Sequence, residues 1–117
     1  MKYLVLLAAT DESDQAWDNG TEEERNAVMA AHEAFDAAIA ERGEILSGEA
    51  LAGPRNATTL RHVNGKPTWT DGPYAEAAEH LGGYYLVDVP DLDIVMQAAA
   101  LLPSDYAVEI RPIIDIG

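Results

Sequence analysis

The sequence predicts an α+β fold: a ferredoxin-like antiparallel sheet with two helices on one face, plus a β-hairpin. Three observations predict it. Strand-like and helix-like segments follow one another as β-α-β, hairpin, β-α-β, the order that places both helices on one side of such a sheet. Both helices open on recognisable caps, Thr21 with Glu24 and Asp91 after Pro90. Between the halves, Asn64-Gly65 separates two strand-like segments, the strongest short hairpin signal in the chain. The 117 residues suit one domain, assigned to 1–117. A domain of this size buries roughly two-thirds of the surface its unfolded chain exposes, so it needs neither metal nor disulfide to fold.

Residues 2–9 are apolar on both faces and read as a central, fully buried strand. Residues 10–20 are polar around a lone Trp17 and read as a loop long enough to lie over something. From Thr21 a helix is expected, with Glu22, Glu23 and Glu24 favouring its positive N-terminus. Val28, His32, Phe35 and Ile39 recur on one face, and Gly43 is a natural C-cap. Residues 44–51 read as a strand in which Gly48 marks a bulge or a close backbone approach. The hairpin arms are 58–63 and 66–70, and Pro67 assigns the second arm to an edge. Residues 71–81 read as a loop with one helical turn over 75–80, and 84–89 as a strand. The second helix presents Leu92, Val95, Met96, Ala99 and Leu102 and ends at Pro103. The last strand, 106–114, alternates Val108, Ile110 and Pro112 with Glu109 and Arg111.

The charge balance excludes several function classes. Seven basic residues stand against 21 acidic ones, a net charge of −14, which repels phosphate backbones and anionic lipid heads. Neither nucleic acid nor membrane is an expected partner. A cationic substrate or basic partner would suit the acidity, as would simple solvation. There is no cysteine, hence no thiolate nucleophile, disulfide or zinc–thiolate site. The apolar run after Met1-Lys2 stops at Thr10-Asp11 with no small-residue cleavage site, so it reads as a strand and not a signal peptide, and the expected location is cytoplasmic. The uncovered sheet face carries apolar residues, and a second copy of the chain is the simplest cover, so a homodimer is expected.

Among candidate functional residues, His32 stands out because it is ionisable yet lies on an apolar stripe. It serves as a general acid or base, or as a core histidine bonded to a carbonyl; Asp36, one turn on, is a local partner. Asp71 opens Asp71-Gly72-Pro73-Tyr74-Ala75-Glu76, which is turn chemistry, with a carboxylate free to act as well. Tyr74 is a ring for packing or substrate contact, Glu76 a solvated or ligand-facing charge, and Trp17 a lid or a stacking surface. His62 and His80 lack the spacing of a zinc site with His32, so no metal is expected. Gly82-Gly83 leads into a strand and lacks the helix N-terminus that phosphate sites use. With no dinucleotide fingerprint, Walker motif or nucleophile elbow, no cofactor is expected.

The stretch Asp71–Glu76 followed by Leu81-Gly82-Gly83-Tyr84-Tyr85 resembles the signature of the YCII-related proteins of the DGPF type, Asp-Gly-Pro-Phe-Ala-Glu-Thr-Lys-Glu running on to Leu-Gly-Gly-Tyr/Phe-Tyr. The resemblance implies a dimeric α/β-barrel and a histidine on the first helix paired with an aspartate in the active site. His32 matches the histidine and Asp71 is taken as its partner. Tyr74, Trp17 and Glu76 complete the expected substrate-binding set. This chain departs from the signature at Ala77-Ala78, where the family has Thr-Lys, and at His80, where it usually has Gln. Any contact those side chains make in relatives is lost here. The implied function is a His/Asp acid–base enzyme acting on a small organic molecule, an isomerase or a dehydrochlorinase-like lyase. The alternative is a non-catalytic ligand-binding or interaction module linked to transcription regulation, and a cofactor-free monooxygenase ranks last.

Overall fold

A computed structural model describes residues 1–117. The elements are β1 (Lys2–Thr10), α1 (Asp11–Asn19), α2 (Glu22–Ala40), β2 (Glu44–Ala50), a 3-10 turn (Pro54–Asn56), β3 (Thr58–Val63), β4 (Lys66–Asp71), β5 (Glu79–Asp88), α3 (Leu92–Ala99) and β6 (Ala107–Pro112). The main sheet is antiparallel throughout, in the order β2-β5-β1-β6. β3 and β4 form a separate two-stranded sheet. This is the ferredoxin-like α+β arrangement that the element order predicts.

Strand periodicity decides which side is the core. Tyr3, Val5, Leu7 and Ala9 of β1 are buried, and the residues between them face the other way. Val5 and Leu7 lie opposite Ile110 and Val108, while Tyr3 lies opposite Val87. Phe35 and Ile39 of α2 and Ile94, Val95 and Ala98 of α3 close this face. The 13 buried residues include no polar side chain, so one apolar layer between sheet and helices carries the fold. The opposite face presents Leu4, Leu6, Tyr84 and Leu86, with Leu4 paired to Leu86 and Leu6 to Tyr84.

The expected caps form. Thr21 accepts from the Glu24 N–H while the Glu24 carboxylate accepts from the Thr21 N–H, and the Asp91 carboxylate accepts from the Ile94 N–H. Asn64 (φ 51°) and Gly65 (φ 78°) adopt the paired left-handed conformations of a two-residue hairpin turn.

Five expectations are corrected. Residues 10–20 are not a loop: Thr10 and Ser13 cap each other reciprocally at 3.0 and 2.9 Å and start α1, which buries no residue. The two helices expected are therefore three. Residues 75–80 form no helical turn. β5 begins at Glu79, because its first residues pair with Ala8–Thr10 of β1, so Gly82-Gly83 lies inside a strand. Leu92 and Met96 of α3 are exposed, and Ile94 and Ala98 take the core face with Val95. Gly43 does not cap by a left-handed turn; it is needed because a Cβ there would stand 2.1 Å from the Asp88 carbonyl oxygen.

Candidate active site

A cavity of about 690 Å³ opens between α1, α2 and the β2–β5 side of the sheet. Small-molecule sites occupy about 300–1,000 Å³, so its size suits an organic ligand. Its placement follows from the fold. The apolar stripe of α2 carries His32 one turn before the buried Phe35, and Gly48 on β2 leaves room for the Tyr85 ring. A Cβ on Gly48 would come within 2.6 Å of that ring. α1 brings Trp17 and Asp14 to the rim, held there by Arg25, whose guanidinium donates to the Trp17 and Asp18 carbonyls.

His32 Nδ1 and the Tyr85 hydroxyl are 2.6 Å apart. Nε2 of His32 has no protein partner, which leaves it for a ligand. Burial pushes the imidazole below its ordinary 6.5, against an opposing pull from the Asp36 carboxylate. Burial, followed by the charge of Asp36 and then Tyr106, pushes the Tyr85 phenol up to about 12. At neutral pH, then, the imidazole is uncharged and the phenol keeps its proton. The pair has two arrangements. When Tyr85 donates to Nδ1, Nε2 carries the proton and acts as a donor. When Nδ1–H donates to the phenol oxygen, Nε2 is a free base. One site thus offers a base and an acid at the same atom. Tyr85 is fixed by packing on Phe35, with ring centroids 4.6 Å apart, and Tyr106 lies 6.1 Å from the His32 ring. Asp36 Oδ1 is buried without a hydrogen-bond partner.

On the α1 side, His80 Nε2 lies 2.9 Å from Asp14 Oδ2. Ligand atoms of Asp11, Asp14 and His80 all fall within 4.8 Å of one another, close enough to share a metal ion. This trio was not visible in the histidine spacing, since two of its members come from the first turn of α1.

Of the residues singled out in the sequence, His32 and Trp17 line the cavity. Asp71, Tyr74 and Glu76 do not. Asp71 ends β4 opposite Thr58 and is exposed. The expected His32–Asp71 pair does not form within the chain: His32 bonds Tyr85, and the carboxylate that acts on it is Asp36. Tyr74 is 77% exposed, so its ring is not packed in a core. Its carbonyl accepts from Arg61. The Asp71-Gly72-Pro73 turn has a structural explanation: Gly72 takes φ 106°, its N–H donates to the Ala57 carbonyl, and its carbonyl accepts from the Thr59 hydroxyl. Sequence reading missed Tyr85, Tyr106 and Asp14, and weighed His80 only as a metal ligand beside His32 and His62. Asp36 was visible as a neighbour of His32.

Residues 1–116 match the profile of the YCII-related domain. An uncharacterized protein of Rhizobium meliloti (strain 1021) is 34% identical over 117 residues, covering 97% of this chain and 92% of that protein.

Proposed function

We propose that this protein, which belongs to the YCII-related family, is an acid–base enzyme that isomerises, or eliminates a group from, a small organic molecule in the His32 cavity. The observation that carries the reading is the 2.6 Å contact between His32 Nδ1 and the Tyr85 hydroxyl, beside a ring nitrogen free for substrate. A base near neutral pH with a second proton donor at hand is what proton abstraction and return require. Tyr85 positions the ring and Asp36 supplies charge; Asp71 takes no part within one chain. The Asp71–Glu76 stretch supports placing the protein in the DGPF type.

The histidine pKa tests this directly. In an NMR pH titration of the three histidines, His32 is expected below 6.5. Asp36→Asn is expected to lower it further, because the carboxylate holds it up, and Asp71→Asn to leave it in place. A His32 that titrates at or above 6.5 would remove the resident base. The same shift affects stability. The unfolded chain protonates this histidine first, so its stabilising contribution is present above pH 6.5 and is lost as pH falls toward the lower, folded value.

The protein also acts as a homodimer on this reading. Only 13 residues are buried, and Leu4, Leu6, Tyr84 and Leu86 share a face that no element of the chain covers. A second copy packed sheet to sheet would bury them. Light scattering is expected to give twice the protomer mass of 12.6 kDa. Leu6→Asp is expected to return it to 12.6 kDa. A wild-type monomer would end the proposal.

A further inference from the structure

We infer that the ligand of the His32 cavity is a small organic cation, a protonated amine. The inference rests on reading this cavity as the working site, and adds the class of molecule that enters it.

The lining is one-signed. Asp14, Asp18, Glu33 and Asp36 contribute their side chains to it, and no Lys or Arg does. His80 pairs with Asp14 at 2.9 Å, which leaves Asp18, Glu33 and Asp36 without a basic partner, and burial keeps His32 uncharged at neutral pH. An anionic ligand would enter against the carboxylates of Asp18, Glu33 and the half-buried Asp36, and like charges repel.

A second, independent observation is the orphaned Oδ1 of Asp36. It is buried with no donor from the protein, an arrangement that native structures rarely leave unanswered. Asp36 lines the cavity, and a small turn of its side chain would give this carboxylate an ammonium N–H as a charge-assisted bond.

The third is aromatic. Trp17, Tyr85 and Tyr106 border the same space, and ring faces attract cations. Trp17 already shows that behaviour on the rim, with the Arg25 guanidinium 5.8 Å from its ring. At about 690 Å³ the space is built for an organic body and not only for a bare ion. The arrangement also suits the chemistry proposed for His32. An ammonium held by Asp36 makes protons on its neighbouring carbons more acidic, while the neutral imidazole stays free to take one.

Three probes of matched shape test this: benzylammonium, benzyl alcohol and benzoate, titrated into the protein while the His32 ring and Trp17 indole signals are followed by NMR. Benzylammonium is expected to bind about tenfold tighter than the alcohol, the scale of one ammonium–carboxylate and ring contact, and benzoate more weakly than either. Asp36→Asn, nearly the same shape, is expected to bring the first two within about threefold. Equal binding of alcohol and ammonium to the wild-type protein overturns the inference without any variant, and so does preference for benzoate. The two readings fail separately. A cation preference with His32 titrating at or above 6.5 keeps the ligand class and ends the acid–base enzyme. No cation preference with a low-titrating His32 does the reverse.

Discussion

His32→Gln is expected to lower turnover by about 10²–10⁴-fold, the usual contribution of a positioned general base. Screening small amines and amino ketones for uptake of solvent deuterium at carbon would supply the substrate, since proton abstraction and return leave that mark even without net conversion. Glutamine keeps a polar side chain of similar reach but takes no proton, so binding should survive while kcat falls. The wild-type pH profile should lose activity on the acid side below 6.5, because the imidazole must be uncharged to act and its burial favours that form. Tyr85→Phe keeps the ring on Phe35 and removes only the hydroxyl 2.6 Å from Nδ1. Its expected loss is smaller, about tenfold, with the acid limb displaced, as befits a group acting through His32. Asp71→Asn discriminates between two sites. A small effect fits the cavity described here. A loss as large as that of His32→Gln would mean that the hairpin of a second copy reaches the cavity, and would restore Asp71 as the histidine's partner.

How far the sequence reaches can be judged from particular residues. α2, α3 and the Asn64-Gly65 turn were legible because their signals are local: a side chain bonding a backbone N–H three residues away, or two residues with φ above zero. α1 was not, since Trp17 is its lone large apolar residue and none of its residues is buried. Without an apolar stripe its one clue was the Thr10–Ser13 cap with Asp11, Glu12 and Asp14 in the first turn. The start of β5 was hidden for a different reason. Glycine weakens a strand locally, yet at Gly83 it suits a close approach, because a Cβ would stand a tight 3.0 Å from the Glu49 carbonyl oxygen. That approach exists only once β2 and β5 pair.

The site divides along the same line. His32 was legible because an ionisable group on an apolar stripe is visible in one helix. Its true neighbour was not, because the choice between Tyr84 and Tyr85 depends on strand register, and a slip of one residue would exchange their faces. Asp71 stood out for being part of a dense motif, but the motif's density reflects the turn at Gly72. Turn chemistry and catalysis favour the same residue types, so composition alone does not separate them.

Phe35→Ala is expected to be the most damaging single truncation, at about 3–5 kcal/mol, a large share of the roughly 5–15 kcal/mol that holds a domain of this kind together. Phe35 is fully buried, together with Ile39, Val5, Val87 and Val95, in the one layer that joins α2 and α3 to the sheet. The opposite face of the sheet has no second layer within the chain to share the load. The cavity left by the ring would sit against Tyr85, 4.6 Å away, and that ring would lose the surface that fixes it. Stability and chemistry are therefore coupled at this position: a loosened Tyr85 no longer holds His32 Nδ1. Urea unfolding at a fixed protomer concentration should show a lower midpoint with an unchanged slope. Ile39→Val, one methylene smaller in the same layer, should cost only about 0.5–1.5 kcal/mol. In Phe35→Ala under folding conditions, the His32 titration should move toward the ordinary value near 6.5 as water enters. A Phe35→Ala protein within about 1 kcal/mol of wild type would mean that α2 is held mainly by contacts outside this layer, and the packing argument for Tyr85 would fall with it.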